Sequence, residues 1–457
     1  MPGFHIEHFG CRAARADGEA IGGRLLRAGH SEQPPRQADV VVVNTCSVTA
    51  EADRAARAFI RKAHRDNPAA RIVVTGCYAQ RAPEELARLE GVAAVVGNSH
   101  KALAPDLILA LAAPHAAAPP MVPAGVLLGS GSQAQILVDD RFAHSFLEEE
   151  QLAPGEQTRP NLKIQEGCGN RCTFCVIPWT RGSSRSLPRD SVLKQVEGFV
   201  AAGGNELVLS GINLGRWGRD LPEHDTFAAL VRAILTQTGL PRLRLSSIEP
   251  MDWDEDLIGL MAEFGDSRLA RHAHLPLQSG SDAVLRRMHR RYRPWHYAQK
   301  VEVLLRAAGP ELTLGADVMA GFPGETEAEF EETLALIRAL PFGYLHLFPF
   351  SPRPGTRGWA MHVADAVPAE AVEARMAALR ALAAEKSLAH RRRFVGSELD
   401  ALTLHTPAAL AAEGRSSALT ANFLPVRLEG VRPANHRLRV RVRGVDDKGF
   451  LDVVEVR

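Results

Sequence analysis

The 457-residue sequence predicts an α/β protein in three parts: an open parallel α/β domain, a central partial (β/α)6 barrel and a small C-terminal all-β barrel. Three observations carry that expectation. Short apolar runs alternate with amphipathic helical patterns over residues 1–112 and again over 161–393. The stretch 113–160 is rich in Pro and Ala and reads as a linker. From 394 to 457 the helical period gives way to short alternating strands between Gly, Pro and Asn turns.

In the first part the strand candidates are Phe4–Gly10, Val40–Thr45, Ile72–Gly76 and Val92–Gly97, with helices at about 18–29, 50–66 and 82–90. The linker holds one short strand, Gln135–Asp139. It also holds GSGSQA at 129–134, a formal match to the dinucleotide fingerprint, but no helix or suitably placed acid follows it. In the central part a strand precedes Cys168, and Glu206–Ser210, Arg242–Ser247, His272–Leu275, Leu312–Ala320 and Tyr344–Phe350 follow. That makes about six β/α units, fewer than the eight of a closed barrel, and a basic helix at about 369–393 ends the region.

Composition excludes several classes. Hydrophobic residues at 46% and charged residues at 23% are those of a packed globular chain. A net charge of +1 means that any nucleic-acid surface is a local patch. MPGFHIEHFGC has no basic start leading into an apolar core, and no run of about 18 apolar residues occurs, so neither a secretory signal nor a membrane span is expected. Walker A, H-E-x-x-H and G-x-S-x-G motifs are absent, which excludes the hydrolytic chemistries they serve. All six cysteines fall within residues 11–175; in a cytoplasmic protein that pattern reads as metal or redox chemistry, not as a disulfide framework.

The segment EGCGNRCTFC at 166–175 spaces Cys168, Cys172 and Cys175 as C-x3-C-x2-C. Three thiolates hold a four-iron cubane and leave one iron open to an exogenous amine and carboxylate. A structural zinc would need a fourth Cys or His, and none lies close by. Phe174, before the third cysteine, is an aromatic where the radical SAM superfamily usually carries one.

The other three cysteines repeat a register. Cys11, Cys46 and Cys77 each sit at the carboxyl end of a predicted parallel strand, the edge where open α/β sheets place ligands. The bland alternative is three buried thiols acting as small apolar residues. Each follows a turn-like or polar pair (FGC, NTC, TGC), which favours a second three-cysteine site with an open iron.

The ordered blocks VVVNTCSVT (41–49), VVTGCYAQ (73–80), the 168–175 triad with VIPWTRGSSRS, ELVLSGINLG (206–215), LRLSSIEP (243–250), HLPLQSGSDAVLRRMHRRY (274–292), GADVMAGFPGETEAEF (315–330) and FPFSPRPGTR (348–357) resemble the methylthiotransferases of the radical SAM superfamily. NTCSVT, TGCYAQ and INLG most resemble the branch acting on tRNA threonylcarbamoyladenosine; sister branches act on isopentenyladenosine in tRNA or on a ribosomal-protein aspartate. One position departs from the family pattern: Ala14 stands where GC-x-x-N has its Asn.

The resemblance implies two 4Fe-4S clusters and S-adenosylmethionine (SAM) as cofactors, with metal ligands Cys11, Cys46, Cys77, Cys168, Cys172 and Cys175. It implies that SAM on the 168/172/175 cluster yields a 5′-deoxyadenosyl radical that takes hydrogen from carbon 2 of adenosine 37. The second cluster holds the sulfur that is methylated and transferred. A flavodoxin- or ferredoxin-like electron donor and a sulfur donor are the implied protein partners, besides the tRNA. The C-terminal barrel resembles the TRAM fold, an RNA-binding module.

Contacts to SAM are expected from Phe174, from Gly203 and Gly204 before a strand, from Glu206 and Asn213 in the ELVLSGINLG block, from Ser247, Glu249 and Gln278 beyond strand ends, and from the turn Gly321, Phe322, Pro323, Gly324. The competing readings are a helix-to-strand turn for Gly203–Gly204 and a Glu-capped β/α turn for 321–325. RNA contacts are expected from RRMHRRYRPWHY (286–297), from HRRRF (390–394), and from Arg437, Arg439, Arg441 and Arg443 on one strand face. A non-catalytic RNA-binding iron–sulfur sensor is the reading of a different class.

Overall fold

The computed structural model describes residues 2–112, 134–146, 158–265 and 267–456. The chain forms two compact units: Met1–Gln151 with Gln165–Arg171 and Cys175–Arg185, and Leu152–Ile164 with Cys172–Phe174 and Ser186–Arg457. The segment around the C-x3-C-x2-C loop is thus shared between the two, whereas the sequence pattern places it wholly in the second.

The first unit is built on a sheet ordered β2-β1-β3-β4-β5-β6, parallel throughout. Its strands are β1 Gly3–His8, β2 Ser31–Glu32, β3 Val40–Thr45, β4 Arg71–Gly76, β5 Val92–Gly97 and β6 Gln135–Leu137. Burial on both faces explains the unbroken VVVVNT run of β3. Val40 and Val42 pack with Ile21, Leu25 and Ile108 on one side, while Val41 and Val43 pack with Ala56, Ile60 and Leu86 on the other. Helices Arg12–Arg27 and Ala104–Ala112 therefore cover one face, and Ala50–Asp66 and Pro83–Ala87 the other. Thr49 caps the third of these four, its side chain accepting from Ala52 N, and Glu51 and Asp53 complement the dipole.

Two differences from the sequence pattern have local causes. The first helix begins at Arg12, not near residue 18, because the chain turns directly at Gly10–Cys11. Gln135–Leu137 is no linker strand but the sheet's sixth, paired with Ala94–Val96. Residues 129–133 of GSGSQA, and most of the proposed linker, lie outside the described residues.

The barrel strands are β7 Asn161–Glu166, β9 Glu206–Gly211, β10 Arg242–Leu245, β11 His272–His274, β12 Thr313–Ala320 and β13 Phe342–Pro349, with β8 Arg185–Ser186 a two-residue edge. They form sheets β10-β9-β7-β8 and β11-β12-β13, joined by a parallel bridge from Leu243 to Leu269. This is the open six-stranded (β/α) barrel that the sequence predicts. Helix Glu327–Ala339 starts at a capping box in which Thr326 and Glu329 exchange side-chain-to-backbone bonds. After helix Ala369–Arg392, five strands close a barrel ordered β14-β15-β16-β18-β17 (Glu398–Thr403, Arg415–Thr420, Pro425–Glu429, Leu451–Glu455, Arg437–Val445) around Ala401, Val426, Val440 and Val453. Among the described residues no helix is long and apolar enough to cross a membrane.

Candidate active site

Cys11, Cys46 and Cys77 follow β1, β3 and β4, which are neighbours in the sheet with His8 opposite Asn44 and Thr45 opposite Gly76. Glycine makes the approach possible twice. A Cβ on Gly10 (φ +129°) would lie 2.6 Å from Cys46 Cβ, and one on Gly76 (φ +100°) would lie 2.3 Å from Thr45 O. Burial pushes the Cys46 thiol up to about 12, and Cys77 and Cys11 beside it push in the same direction. The pairing of β1, β3 and β4 brings the three cysteines to one sheet edge.

The site has donors aimed at sulfur. Arg181 Nε donates to Cys77 Sγ at 3.3 Å, Asn98 Nδ2 donates to it at 3.4 Å, and Val48 N donates to Cys46 Sγ at 3.5 Å. Arg181 is fully buried; its Nη1 donates to Glu166 Oε1 at 2.7 Å and to Asp17 Oδ2 at 3.1 Å. Lys101, also buried, bonds the same Asp17 and Glu166, so two cations and two carboxylates meet here. Beside the cysteines, Asn44 Nδ2 on β3 donates to the Ala14 carbonyl.

Cys168, Cys172 and Cys175 share the loop that follows β7. Cys168 N donates to Gly182 O at 3.0 Å, and its Sγ accepts from Asn170 N at 3.4 Å. Arg290 Nη1 donates to Cys172 Sγ at 3.4 Å while its Nη2 pairs with Glu249. Arg290 is buried, and Tyr292, buried beside it, donates to the carbonyls of Pro276 and Leu277.

The carboxyl ends of the barrel strands gather most of the other predicted residues. Phe174 meets Phe322 edge-on at 6.5 Å between centroids, so the loop aromatic and the Gly321–Gly324 turn adjoin. Glu325 Oε2 accepts from Gly321 N at 2.7 Å, the capped turn of the bland reading. Asn213, beyond β9, and Gln278, beyond β11, take left-handed backbone conformations at φ 57° and 64°. Both amide atoms of Asn213 and Oε1 of Gln278 are buried without a protein partner, as is the Ser210 hydroxyl at the end of β9. Buried unpaired polar atoms are costly, and a polar ligand would satisfy them. Ser247 and Glu249 lie beyond β10 on the same edge.

Three of the expected contact residues lie apart from this group. Gly203, Gly204 and Glu206 lie at the amino end of β9, opposite the mouth. Gly203 and Gly204 terminate helix Arg189–Ala201 through bonds to Val200 O and Phe199 O, and Gly203 O accepts from Asn435. Glu206 is buried under Arg244 (2.7 Å), Arg242 (3.2 Å) and Arg159 (3.3 Å). Burial alone would raise its carboxyl, but those three arginines hold it at about 2.

The basic patches are less free than the sequence predicts. Within 286–297, Arg290 and Tyr292 are internal, and Arg287 forms a bidentate pair with Glu329 at 2.7 and 2.8 Å. Within 390–394, His390 is buried on Thr313 and Phe394 belongs to the C-terminal core. Arg437, Arg439, Arg441 and Arg443 do share one face of their strand, yet they pair with Asp400, Glu398, Glu398 and Glu429. His274, Asp317 and His346, on neighbouring strands, bring three ligand-type atoms within 4.8 Å of one another. Asp317 Oδ1 faces ring nitrogens of both histidines at 3.2 and 3.3 Å, so hydrogen bonds within the group account for this proximity.

Sequence reasoning missed Arg181, Asn98, Ser210 and Arg290 as individual site residues. Arg181 and Arg290 lie inside family-like blocks, but only the fold brings their side chains to sulfur.

A parallel half-open barrel whose first strand leads into a C-x3-C-x2-C loop defines a radical SAM protein. Residues 162–337 match the Radical SAM superfamily, and residues 3–97 match the family described as Uncharacterized protein family UPF0004. The threonylcarbamoyladenosine tRNA methylthiotransferase MtaB of Bacillus subtilis is 38% identical over 77% of this chain and 74% of its own. The protein of the same name from Aquifex aeolicus is 32% identical over 96% of this chain and 99% of its own. The tRNA-2-methylthio-N(6)-dimethylallyladenosine synthase of a Parafrankia species is 35% identical over 87% and 77%. Among solved structures, the radical SAM methyltransferase TsrM from Kitasatospora setae, with cobalamin and a 4Fe-4S cluster bound, superposes with a TM-score of 0.53. At 15% identity, over 79% of this chain and 77% of that one, it shares the fold alone. The chain belongs to the tRNA methylthiotransferase family of the radical SAM superfamily.

Proposed function

We propose that this protein adds a methylthio group to carbon 2 of threonylcarbamoyladenosine at position 37 of tRNA, using SAM and two 4Fe-4S clusters. The observation that carries this reading is the gathering of Cys11, Cys46 and Cys77 at adjacent strand ends, in addition to the 168/172/175 loop. The 168/172/175 set would hold the open-iron cluster that cleaves SAM, and a second three-cysteine set would hold a further cluster for sulfur. The bound cofactors supply the electron, the deoxyadenosyl radical and the sulfur.

The chain's own residues bind and orient. Cys168, Cys172 and Cys175 hold the first cluster, and Cys11, Cys46 and Cys77 the second. Asn213, Ser247, Glu249, Gln278 and the Gly321–Gly324 turn, with Phe174 and Phe322, hold SAM. The unsatisfied amides of Asn213 and Gln278 fit a polar ligand. We assign sulfur delivery to 1–112 together with the sheet's sixth strand Gln135–Leu137, radical generation to 161–393 and tRNA docking to 394–457, with the rest of 113–160 as linker. A flavodoxin- or ferredoxin-like reductant, a separate sulfur donor and a cytoplasmic location complete the proposal.

The dimethylallyladenosine synthases at 35% identity favour isopentenyladenosine as the second substrate reading. Mass spectrometry of nucleosides from tRNA of a deletion strain separates the two. Loss of the methylthio-threonylcarbamoyl nucleoside supports the proposal; its unchanged level defeats it. Anaerobic reconstitution separates the enzyme from a sensor: about eight irons per chain with reductive SAM cleavage against about four with none.

A further inference from the structure

We infer that Arg181 is a positioning residue of the second cluster, and that its hydrogen bond to Cys77 Sγ sets that cluster's reduction potential; this rests on the proposal that Cys11, Cys46 and Cys77 hold a cluster. Arg181 is a fully buried cation with a carboxylate pair of its own, and it still directs Nε at a sulfur 3.3 Å away. Glu166 and Asp17 fix the guanidinium through Nη1, leaving Nε as the donor that points at Cys77. Lys101 pairs with the same two carboxylates, so the two cations and two carboxylates carry no formal net charge together. The local effect on the cluster therefore comes from the directed N–H and the near positive end, not from bulk charge.

Reduction of a cluster held there would add one electron and break no bond. The added charge would be shared by the sulfurs, and a donor held on one of them would stabilise the reduced state more than the oxidised one. Hydrogen bonds to cluster sulfurs are among the levers that place such potentials. Asn98 adds a second, neutral donor to the same sulfur, so Cys77 is the most heavily bonded of the three ligands by the described contacts. Glu166 lies two residues before Cys168, so the network that aims Arg181 also anchors the strand end leading into the radical SAM loop.

The test uses the full chain with Cys168, Cys172 and Cys175 all changed to alanine, so that only the second cluster remains. Dithionite titration followed by electron paramagnetic resonance reads its midpoint. Arg181→Lys, which keeps the charge and shortens the reach, lowers the equilibrium constant for reduction about tenfold, a fall of about 59 mV for one electron. An unchanged midpoint with the cluster present overturns this inference and leaves the cluster assignment standing. If the triple-alanine chain holds no iron while Arg181 is intact, the cluster assignment itself fails and takes the inference with it. A measurement without substitution at Arg181 covers the case in which the lysine variant does not fold: arginine labelled with 15N couples to the reduced cluster in pulsed resonance spectra. Absence of that coupling overturns the inference.

Discussion

Arg290 places Nη1 at 3.4 Å from Cys172 Sγ and pairs through Nη2 with Glu249. One guanidinium therefore ties the radical SAM loop to the residues beyond β10, where SAM is proposed to bind. Burial penalises a lone cation, but Tyr292, Glu249 and Cys172 around it keep the guanidinium charged. A charge-assisted bond of this kind contributes about 1.5–3 kcal/mol. Arg290→Ala is expected to lower 5′-deoxyadenosine formation by about ten- to a hundredfold. Iron content and circular dichroism establish that the variant is folded. Deoxyadenosine release at the unmodified rate would remove Arg290 from the site.

The two cysteine sets have separable tasks, and single substitutions expose them. Cys172→Ala is expected to abolish deoxyadenosine formation. Cys46→Ala is expected to retain SAM cleavage and lose methylthio transfer, read by mass spectrometry of the tRNA product. Full product from Cys46→Ala would show that the first unit's cysteines are ordinary buried thiols.

Legibility followed how local the physics is. Strand positions came through because a fully buried parallel strand reads as an apolar run, as in Val40–Thr45 and Val92–Gly97, which match the sequence reading at both ends. The Cys11, Cys46 and Cys77 register was legible because a strand end and its next residue are neighbours in sequence. Gly203 and Gly204 misled because a Gly pair before a strand looks the same whether it greets a ligand or ends a helix, and Gly203 ends one. Arg181 reaches Cys77 across 104 positions, and Arg290 reaches Cys172 across 118, so no window of sequence contains both partners. The arginines of β17 were correctly placed on one face, but their carboxylate partners come from other strands of the barrel.

Glu206 offers a direct test between an ion-pair role and a contact to SAM. It is buried, and its oxygens meet Arg244, Arg242 and Arg159 at 2.7–3.3 Å. Removing one member of such a buried set leaves uncompensated charge, which costs about 3–5 kcal/mol. Glu206→Ala is expected to lower the denaturant midpoint by a corresponding amount while the KM for SAM of the folded fraction stays unchanged. A raised KM at undiminished stability would return Glu206 to the SAM site.

The histidines His8 and His390 predict how stability depends on pH. Each is lowered from 6.5 to about 4: burial is the main cause in both, aided by Arg15 at His8 and by Arg393 and Arg391 at His390. His390 sits against Thr313, its Nε2 2.9 Å from the hydroxyl, and stays neutral where the unfolded chain would take a proton. Above pH 6.5 neither state binds that proton, so the groups add no pH dependence there. As pH falls below 6.5 the unfolded state binds more protons than the folded one, and stability drops until the folded histidines titrate near pH 4. From pH 7 to pH 5 each group removes on the order of 2 kcal/mol. Urea unfolding at the two pH values measures the loss, and His390→Gln, which keeps an amide donor for Thr313, is expected to recover about half of it. Identical pH dependence in the variant would mean that His390 titrates normally in the folded protein.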